Sequence, residues 1–230
     1  MNQLVTNGIV LSRTNFREAD RIIKLLTSDK GKISLLARGV RKPKSKLAGG
    51  IELFSVSSVT YIQGRGELGT LVSARLDRHY GAIVKHIDRV QLGYELIKAL
   101  DRATEDEPEA EYFELLQNCF AALDDDTIDV GLIRFWFNTQ LVAQSGHSPN
   151  LSSDASGQKL QADKTYTFDY DSVSFAEHPN GNFTADHIKF LRIAFAGNSP
   201  KILQQISGGQ ELLHIVMPLA QTMLTSYIRV

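Results

Sequence analysis

The hydrophobic period of this chain changes once. Up to about Asp77 apolar residues come in short runs bounded by Gly, Asp and Ser; beyond Tyr80 they recur at spacings of three and four. One kind of backbone cannot serve both patterns, because side chains alternate faces along a strand but return every 3.6 residues on a helix. The sequence therefore predicts an α+β protein, a β module followed by a mostly helical one. Five runs read as strands, at 9–11, 21–27, 32–37, 54–62 and 68–76. Ser28-Asp29-Lys30-Gly31 and Gln63-Gly64-Arg65-Gly66 carry the Gly and Asp that tolerate the positive φ of tight hairpins, so the second strand should pair with the third and the fourth with the fifth. Five strands in so short a stretch is the count of an OB-fold β-barrel.

After Tyr80, Ile83, Ile87, Val90, Tyr94 and Ile97 mark one amphipathic helix, and residues 105–108 break it. Phe113, Leu116, Phe120 and Leu123 mark a second helix that begins near Pro108, a residue common in the first turn. Asp124, Asp125 and Asp126 are placed to cap a third helix carrying Ile128, Leu132, Phe135 and Val142, with Gly146 at its end. Residues 147–183 lose this period, and Tyr166-Thr167-Phe168-Asp169-Tyr170 alternates opposite Val173-Ser174-Phe175, which predicts a small β insertion. Thr184 then caps a helix through Ile188, Leu191 and Phe195 that Gly197 stops; Ser199-Pro200 opens another; Gly208-Gly209 precedes a last helix that Pro218 should kink. The expected division is an OB-fold nucleic-acid-binding domain over 1–80 and a helical domain over 81–230, with the β insertion at about 147–183.

Of the 230 residues 43% are apolar and 22% charged, enough for a real core without signs of disorder. A single cysteine, Cys119, excludes an internal disulfide and any multi-cysteine metal cage, and on its apolar helix it should be a small buried residue. The first residues have neither a positive leader nor an apolar core, and no run of ~18 apolar residues occurs, so a cytoplasmic, nucleoid-associated protein is the expectation. The net charge of −1 hides an asymmetry: residues 1–90 hold sixteen Lys/Arg against seven Asp/Glu, net +9, and the remainder nine against nineteen, net −10. A basic half points to a polyanion-binding module.

The basic charge is concentrated. Lys30, Lys32, Arg38, Arg41, Lys42, Lys44 and Lys46 follow one another with no acid among them, and Arg65 adds a further cation in the last hairpin. Gly39, Pro43, Gly49 and Gly50 make the stretch after the third strand a loop. Such a loop can follow an irregular phosphate backbone, releasing a counterion at each phosphate it neutralises. A solvated surface loop that aids solubility is the competing reading. Single-strand binders usually add aromatic platforms, and here the supply is thin: Phe16, Phe54, Tyr61 and Tyr80, of which Phe54 and Tyr61 fit a core as well as a surface. Phosphate contacts should dominate and sequence preference should be weak.

The segment Ala37-Arg38-Gly39-Val40-Arg41-Lys42-Pro43-Lys44-Ser45-Lys46-Leu47-Ala48-Gly49-Gly50, followed by Glu52-Leu53-Phe54, resembles the signature loop of the RecO family of recombination mediators. The run from Leu11 to Asp20, the Gly31-Lys32 turn and Gly64-Arg65-Gly66-Glu67-Leu68 agree with the family in order and spacing over about residues 5–80; the helical remainder is similar only loosely. The resemblance implies an OB barrel plus helical domain that binds single- and double-stranded DNA, anneals complementary strands, and works with RecR and single-strand-binding protein to help load RecA. It also implies a groove for the acidic, phenylalanine-ended tail of single-strand-binding protein, for which Arg134, Lys189, Arg192 and Lys201 are the candidate cations. Some family members hold zinc with two Cys-x-x-Cys pairs. The surrounding frame is present in Gly146-His147-Ser148-Pro149-Asn150-Leu151, but Ser153-Asp154-Ala155-Ser156-Gly157 and Phe175-Ala176-Glu177-His178 stand where the pairs would fall, so no zinc and no other cofactor is expected. Packing of Tyr166, Phe168 and Phe175 must then hold the insertion.

Enzyme readings find little support. Asp124–Asp126 could hold Mg²⁺ but caps a helix more economically; His79, His86, His147, His178, His187 and His214 form no HExxH or HxH pattern; and the GxGxxG-like stretch from Gly64 to Gly69 lies between strands, not before a helix. A mediator without an active site is the leading reading. An OB-fold binder of RNA, such as a translation or processing factor, is the runner-up, and a nuclease or nucleotide-dependent enzyme the third class.

Overall fold

The computed structural model describes residues 2–64, 66–104, 110–197 and 199–228. Five strands, β1 (Gln3–Phe16), β2 (Asp20–Thr27), β3 (Lys32–Ala37), β4 (Ser55–Ile62) and β5 (Leu68–His79), close into a barrel in the order β1-β2-β3-β5-β4. The expected β2–β3 and β4–β5 hairpins are both present and antiparallel. Closure needs one parallel contact, β3 with β5 through Ser34↔Leu68, Leu35↔Gly69 and Leu36↔Thr70, together with antiparallel β1–β4 pairing from Gln3↔Ile62 to Ile9↔Val56. A bulge after Val10 bends β1 so that it can serve both neighbours. Val10, Ile23, Leu25, Leu35, Val59, Tyr61 and Leu71 fill the interior.

Two helices complete the first compact unit, which runs to Asp124: α1 (Ile87–Ala103) and α2 (Ala110–Asp124). They meet the barrel around aromatic rings, with Phe54 edge-on to both Tyr94 and Phe120 and Tyr80 edge-on to Phe120. Gly93 makes this contact possible, since a Cβ there would lie 2.6 Å from the Phe54 ring. The stripe expected for α1 is rotated. Ile83 belongs to a separate 3-10 turn, Ile87 is 82% exposed, and the buried face is Arg89, Leu92, Gly93, Leu96, Ile97 and Leu100. Arg89 is inside because its guanidinium donates to the Ala122 and Leu123 carbonyls at 3.4 and 3.0 Å, satisfying the open end of α2. The expected start of α2 near Pro108 lies outside the described residues. Phe113, Leu116, Phe120 and Leu123 are buried on α2 as its spacing predicts, and Cys119 lies beside them, its thiol pushed well above the usual range by burial.

The second unit, from Asp125 onward, holds α3 (Val130–Gln144), a three-stranded sheet of β6 (Asn150–Asp154), β7 (Tyr166–Asp169) and β8 (Ser174–Glu177), then α4 (Ala185–Ala196), α5 (Lys201–Gln204) and α6 (Gly209–Tyr227). The acidic triplet does not cap α3. Asp129 does, accepting from Leu132 N at 3.0 Å, whereas Asp125 closes a turn on Thr127 and Asp124 accepts from Ala82 N. The expected β7–β8 hairpin is present, and β6 adds a parallel edge that the sequence pattern did not reveal. Pro218 lies within α6, and no helix among the described residues is long and apolar enough to cross a membrane.

Helix α4 starts with Thr184 as expected, with His187 Nδ1 accepting the Thr184 N–H at 3.0 Å. Partial burial holds the His187 ring below its ordinary 6.5, with Asp186 opposing. The unfolded chain therefore binds this proton more readily, so the cap's contribution is complete above about pH 6.5 and is lost as the pH falls through the folded value. The thermal midpoint should drop between about pH 7 and about pH 5 more steeply in the wild type than in His187→Gln. Identical slopes in the two proteins would show that the cap does not depend on a neutral ring.

Candidate nucleic-acid interface

The loop between β3 and β4 is both a plug and a carrier of charge. Val40 and Ile51, 4% and 1% exposed, enter the barrel core, and Leu47, Ala48 and Leu53 pack against it. Between these anchors a 3-10 turn, Ala48–Gly50, lies so close to β5 that a side chain on Gly50 would collide with the Ala74 carbonyl. The other end of the loop is pinned to the β1–β2 turn: Gly39 N donates to Asp20 Oδ1 at 2.7 Å and Arg41 N to the Ala19 carbonyl at 3.0 Å. Arg13 secures the far side, donating to the Ile51 carbonyl at 3.4 Å and pairing with Glu52 at 3.1 Å. Local turns, Lys42 N to the Gly39 carbonyl and Ser45 N to the Lys42 carbonyl, leave the intervening side chains pointing outward.

Arg38, Arg41, Lys42, Lys44 and Lys46 are all exposed on this scaffold, and none forms an ion pair among the described residues. The seven-cation run does not stay together. Strand β3 carries the chain about 17 Å from Lys32 to Ala37 at ~3.3 Å per residue, so Lys30 and Lys32 stand at the opposite end of β2–β3 from the loop. Lys30 is exposed and pairs with Asp29 at 3.4 Å. Lys32 is largely buried: its ammonium donates to the Asp101 and Thr104 carbonyls at 3.0 and 2.6 Å, capping the C-terminal end of α1. Its position makes Lys32 a packing residue, a correction to the grouping by sequence. Arg65 lies outside the described residues.

One cation was missed because it stands 21 positions before Arg38, in the β1–β2 turn. Arg17 is exposed, and its carbonyl accepts from Arg41 Nη1 at 3.5 Å. The aromatic supply is as thin as expected, with Phe54, Tyr61 and Tyr80 at 2%, 3% and 0% exposure.

Several carboxylates away from the loop are engaged with neighbours. Asp125 accepts from Thr127 N and Oγ1 and pairs with Lys201 at 3.4 Å; the Thr127 hydroxyl foremost holds its pKa below the usual range. No group of three His, Cys, Asp or Glu among the described residues is placed to hold a metal ion. The zinc frame carries residues that do not fit zinc. Asp154 and Phe175 are neighbours across β6 and β8, but Phe175 is buried edge-on among Tyr166, Phe168 and Phe183. Asp154 Oδ1 takes three donors, from Ser156 N and Oγ and from Gln158 N, and His178 Nδ1 accepts from Asn180 N. At the second of the two expected pairs, Phe175 is therefore part of an aromatic cluster.

The four candidate peptide-binding cations do not converge. Lys189 pairs with Asp186 at 3.1 Å and borders an apolar cleft of about 570 Å³ between α4 and the start of α6, lined also by Phe190, Ile193, Ile206 and Leu212. Arg192 shares only a small cleft of about 80 Å³ with Lys189, and its guanidinium holds the Leu151 carbonyl. Lys201 is paired with Asp125, and Arg134 lies on α3 away from the lining of either cleft.

Comparison with known proteins matches residues 1–80 to the family model described as recombination protein O N terminal and residues 91–224 to recombination protein O C terminal. The chain is 30% identical over 150 residues to the DNA repair protein RecO of Rubrobacter xylanophilus, covering 65% of this chain and 60% of that one. It is 32% identical over 155 residues to that of Acetivibrio thermocellus, covering 66% and 61%, and 34% identical over 119 residues to that of Listeria welshimeri, covering 51% and 46%. The matched stretches thus span about three fifths or less of the length of these relatives.

Proposed function

We propose, from the premise that this chain belongs to the RecO family, that it acts in DNA repair and recombination as a mediator that binds nucleic-acid phosphates through the β3–β4 loop. The observation that carries the reading is the set of five exposed cations, Arg38, Arg41, Lys42, Lys44 and Lys46, held without ion pairs among the described residues on a loop anchored in the barrel core. Cations on a fixed frame lose less freedom on meeting phosphates than cations on a free tail. Because they address the backbone, they serve single and double strands alike and are indifferent to sequence. Two complementary strands lying on such a surface lose much of their mutual repulsion, which is the physical requirement for annealing. In this reading the protein anneals strands and, with RecR, assists RecA loading, and no covalent step falls to its residues.

The α4–α6 cleft supports a second contact, with the acidic, phenylalanine-ended tail of single-strand-binding protein. Its apolar walls suit an aromatic ring, and Lys189 stands at its edge to exchange Asp186 for a peptide carboxylate. Arg134, Arg192 and Lys201 take no part in that cleft. In this reading the protein works without zinc, because Ser153, Ser156 and Phe175 stand where thiolates would be needed; elemental analysis should find far less than one equivalent, and stoichiometric zinc would contradict this.

The decisive assay is annealing of two complementary labelled oligonucleotides without nucleotide or added metal. The wild type should accelerate it, and Arg41→Ala/Lys42→Ala/Lys44→Ala/Lys46→Ala should fall back toward the spontaneous rate at unchanged thermal midpoint. Lys32→Ala should do the reverse, lowering the midpoint by losing its contacts to α1 while a folded sample anneals normally. Equal rates for the wild type and the quadruple variant would mean that the loop is only a solvated surface.

A further inference from the structure

Phe16 is the one barrel aromatic that the fold does not bury among the described residues. It is partly exposed, and it belongs neither to the barrel core nor to the side chains packed against that core. It ends β1 opposite Asp20, so the two side chains share a face of the hairpin. Asp20 is the residue that holds Gly39 of the basic loop, and the neighbouring Ala19 and Arg17 carbonyls both accept from Arg41. Phe16 therefore stands at the root of the cationic loop, within one cross-strand spacing of its attachment.

Arg17, next in the chain, adopts φ 54°, a left-handed conformation disfavoured for residues with a Cβ. In that conformation its guanidinium lies over the Phe16 ring, 5.2 Å from the centroid, and it forms no ion pair among the described residues. A ring with a guanidinium over it forms a flat stack on which any base can continue, and the in-plane N–H groups of the guanidinium offer paired donors to a phosphate. Inside a duplex every base is already stacked on both faces, so only the terminal pairs have a face left for the ring.

We propose that Phe16 and Arg17 form a subsite for one unpaired nucleotide, the base stacking on the Phe16–Arg17 pair and its phosphate meeting Arg17 and Arg41. This rests on the phosphate-binding reading of the loop and deepens it: the loop cations hold either form of DNA, and the turn supplies the preference for single strands.

The test compares affinities of the full chain for a thymine oligonucleotide and for a blunt duplex of equal length, by fluorescence anisotropy at one salt concentration. Phe16→Leu should weaken the thymine complex about tenfold and leave the duplex complex within about twofold. Phe16→Trp should keep single-strand affinity, with indole emission quenched by the thymine oligonucleotide beyond any change from Trp136 in the wild type. Equal losses on both DNAs, no loss on either, or no such additional quenching in the Phe16→Trp protein would overturn the subsite while leaving the loop reading intact. Failure of the wild type to bind either DNA would overturn both.

Discussion

Burial of Val40 and Ile51 in the barrel is the interaction on which the proposed interface depends. The same loop carries Arg38, Arg41, Lys42, Lys44 and Lys46, which repel one another. Two unit charges about 10 Å apart in water cost about 0.4 kcal/mol, less once salt screens them over ~8 Å. Burying a Val or Ile side chain contributes roughly 1.5–3 kcal/mol each. Two apolar anchors, aided by the Asp20–Gly39 hydrogen bond and the Arg13–Glu52 pair, thus offset the repulsion and hold the charges in place before any polyanion arrives. The plug that completes the barrel is therefore also the scaffold of the proposed site, and on that proposal a change at either anchor would alter both stability and binding.

Much of the barrel was legible in the sequence because a half-buried strand writes its two-residue period directly into the chain, and Gly and Asp mark the β2–β3 and β4–β5 turns. What failed to read through involves partners distant in sequence. On α1 both the expected stripe and the observed one satisfy helical spacing; Phe54 and the exposed carbonyls of α2 choose between them, admitting Gly93 and Arg89 and turning Ile87 outward. Three consecutive aspartates suggested a cap, but geometry gives that role to Asp129, one turn nearer to the first helical residues. The β6 edge has no alternation to announce it.

The site was legible in part for the same reason. Charge density marked the loop, whose cations the structure leaves exposed, yet sequence proximity grouped Lys32 with residues that β3 carries away from it, and separated Arg17 from residues that the β1–β2 turn brings to it. The missing zinc ligands could be read directly, residue by residue. The aromatic replacement could be read less completely, because Phe183 joins Tyr166, Phe168 and Phe175 from outside the alternating segment.

The most direct test of the central claim is the dependence of DNA affinity on salt. If each of Arg38, Arg41, Lys42, Lys44 and Lys46 neutralises one phosphate, the logarithm of the association constant for single-stranded DNA should fall against the logarithm of salt concentration with a slope of about −3.5. A flat dependence would contradict an interface built on these cations.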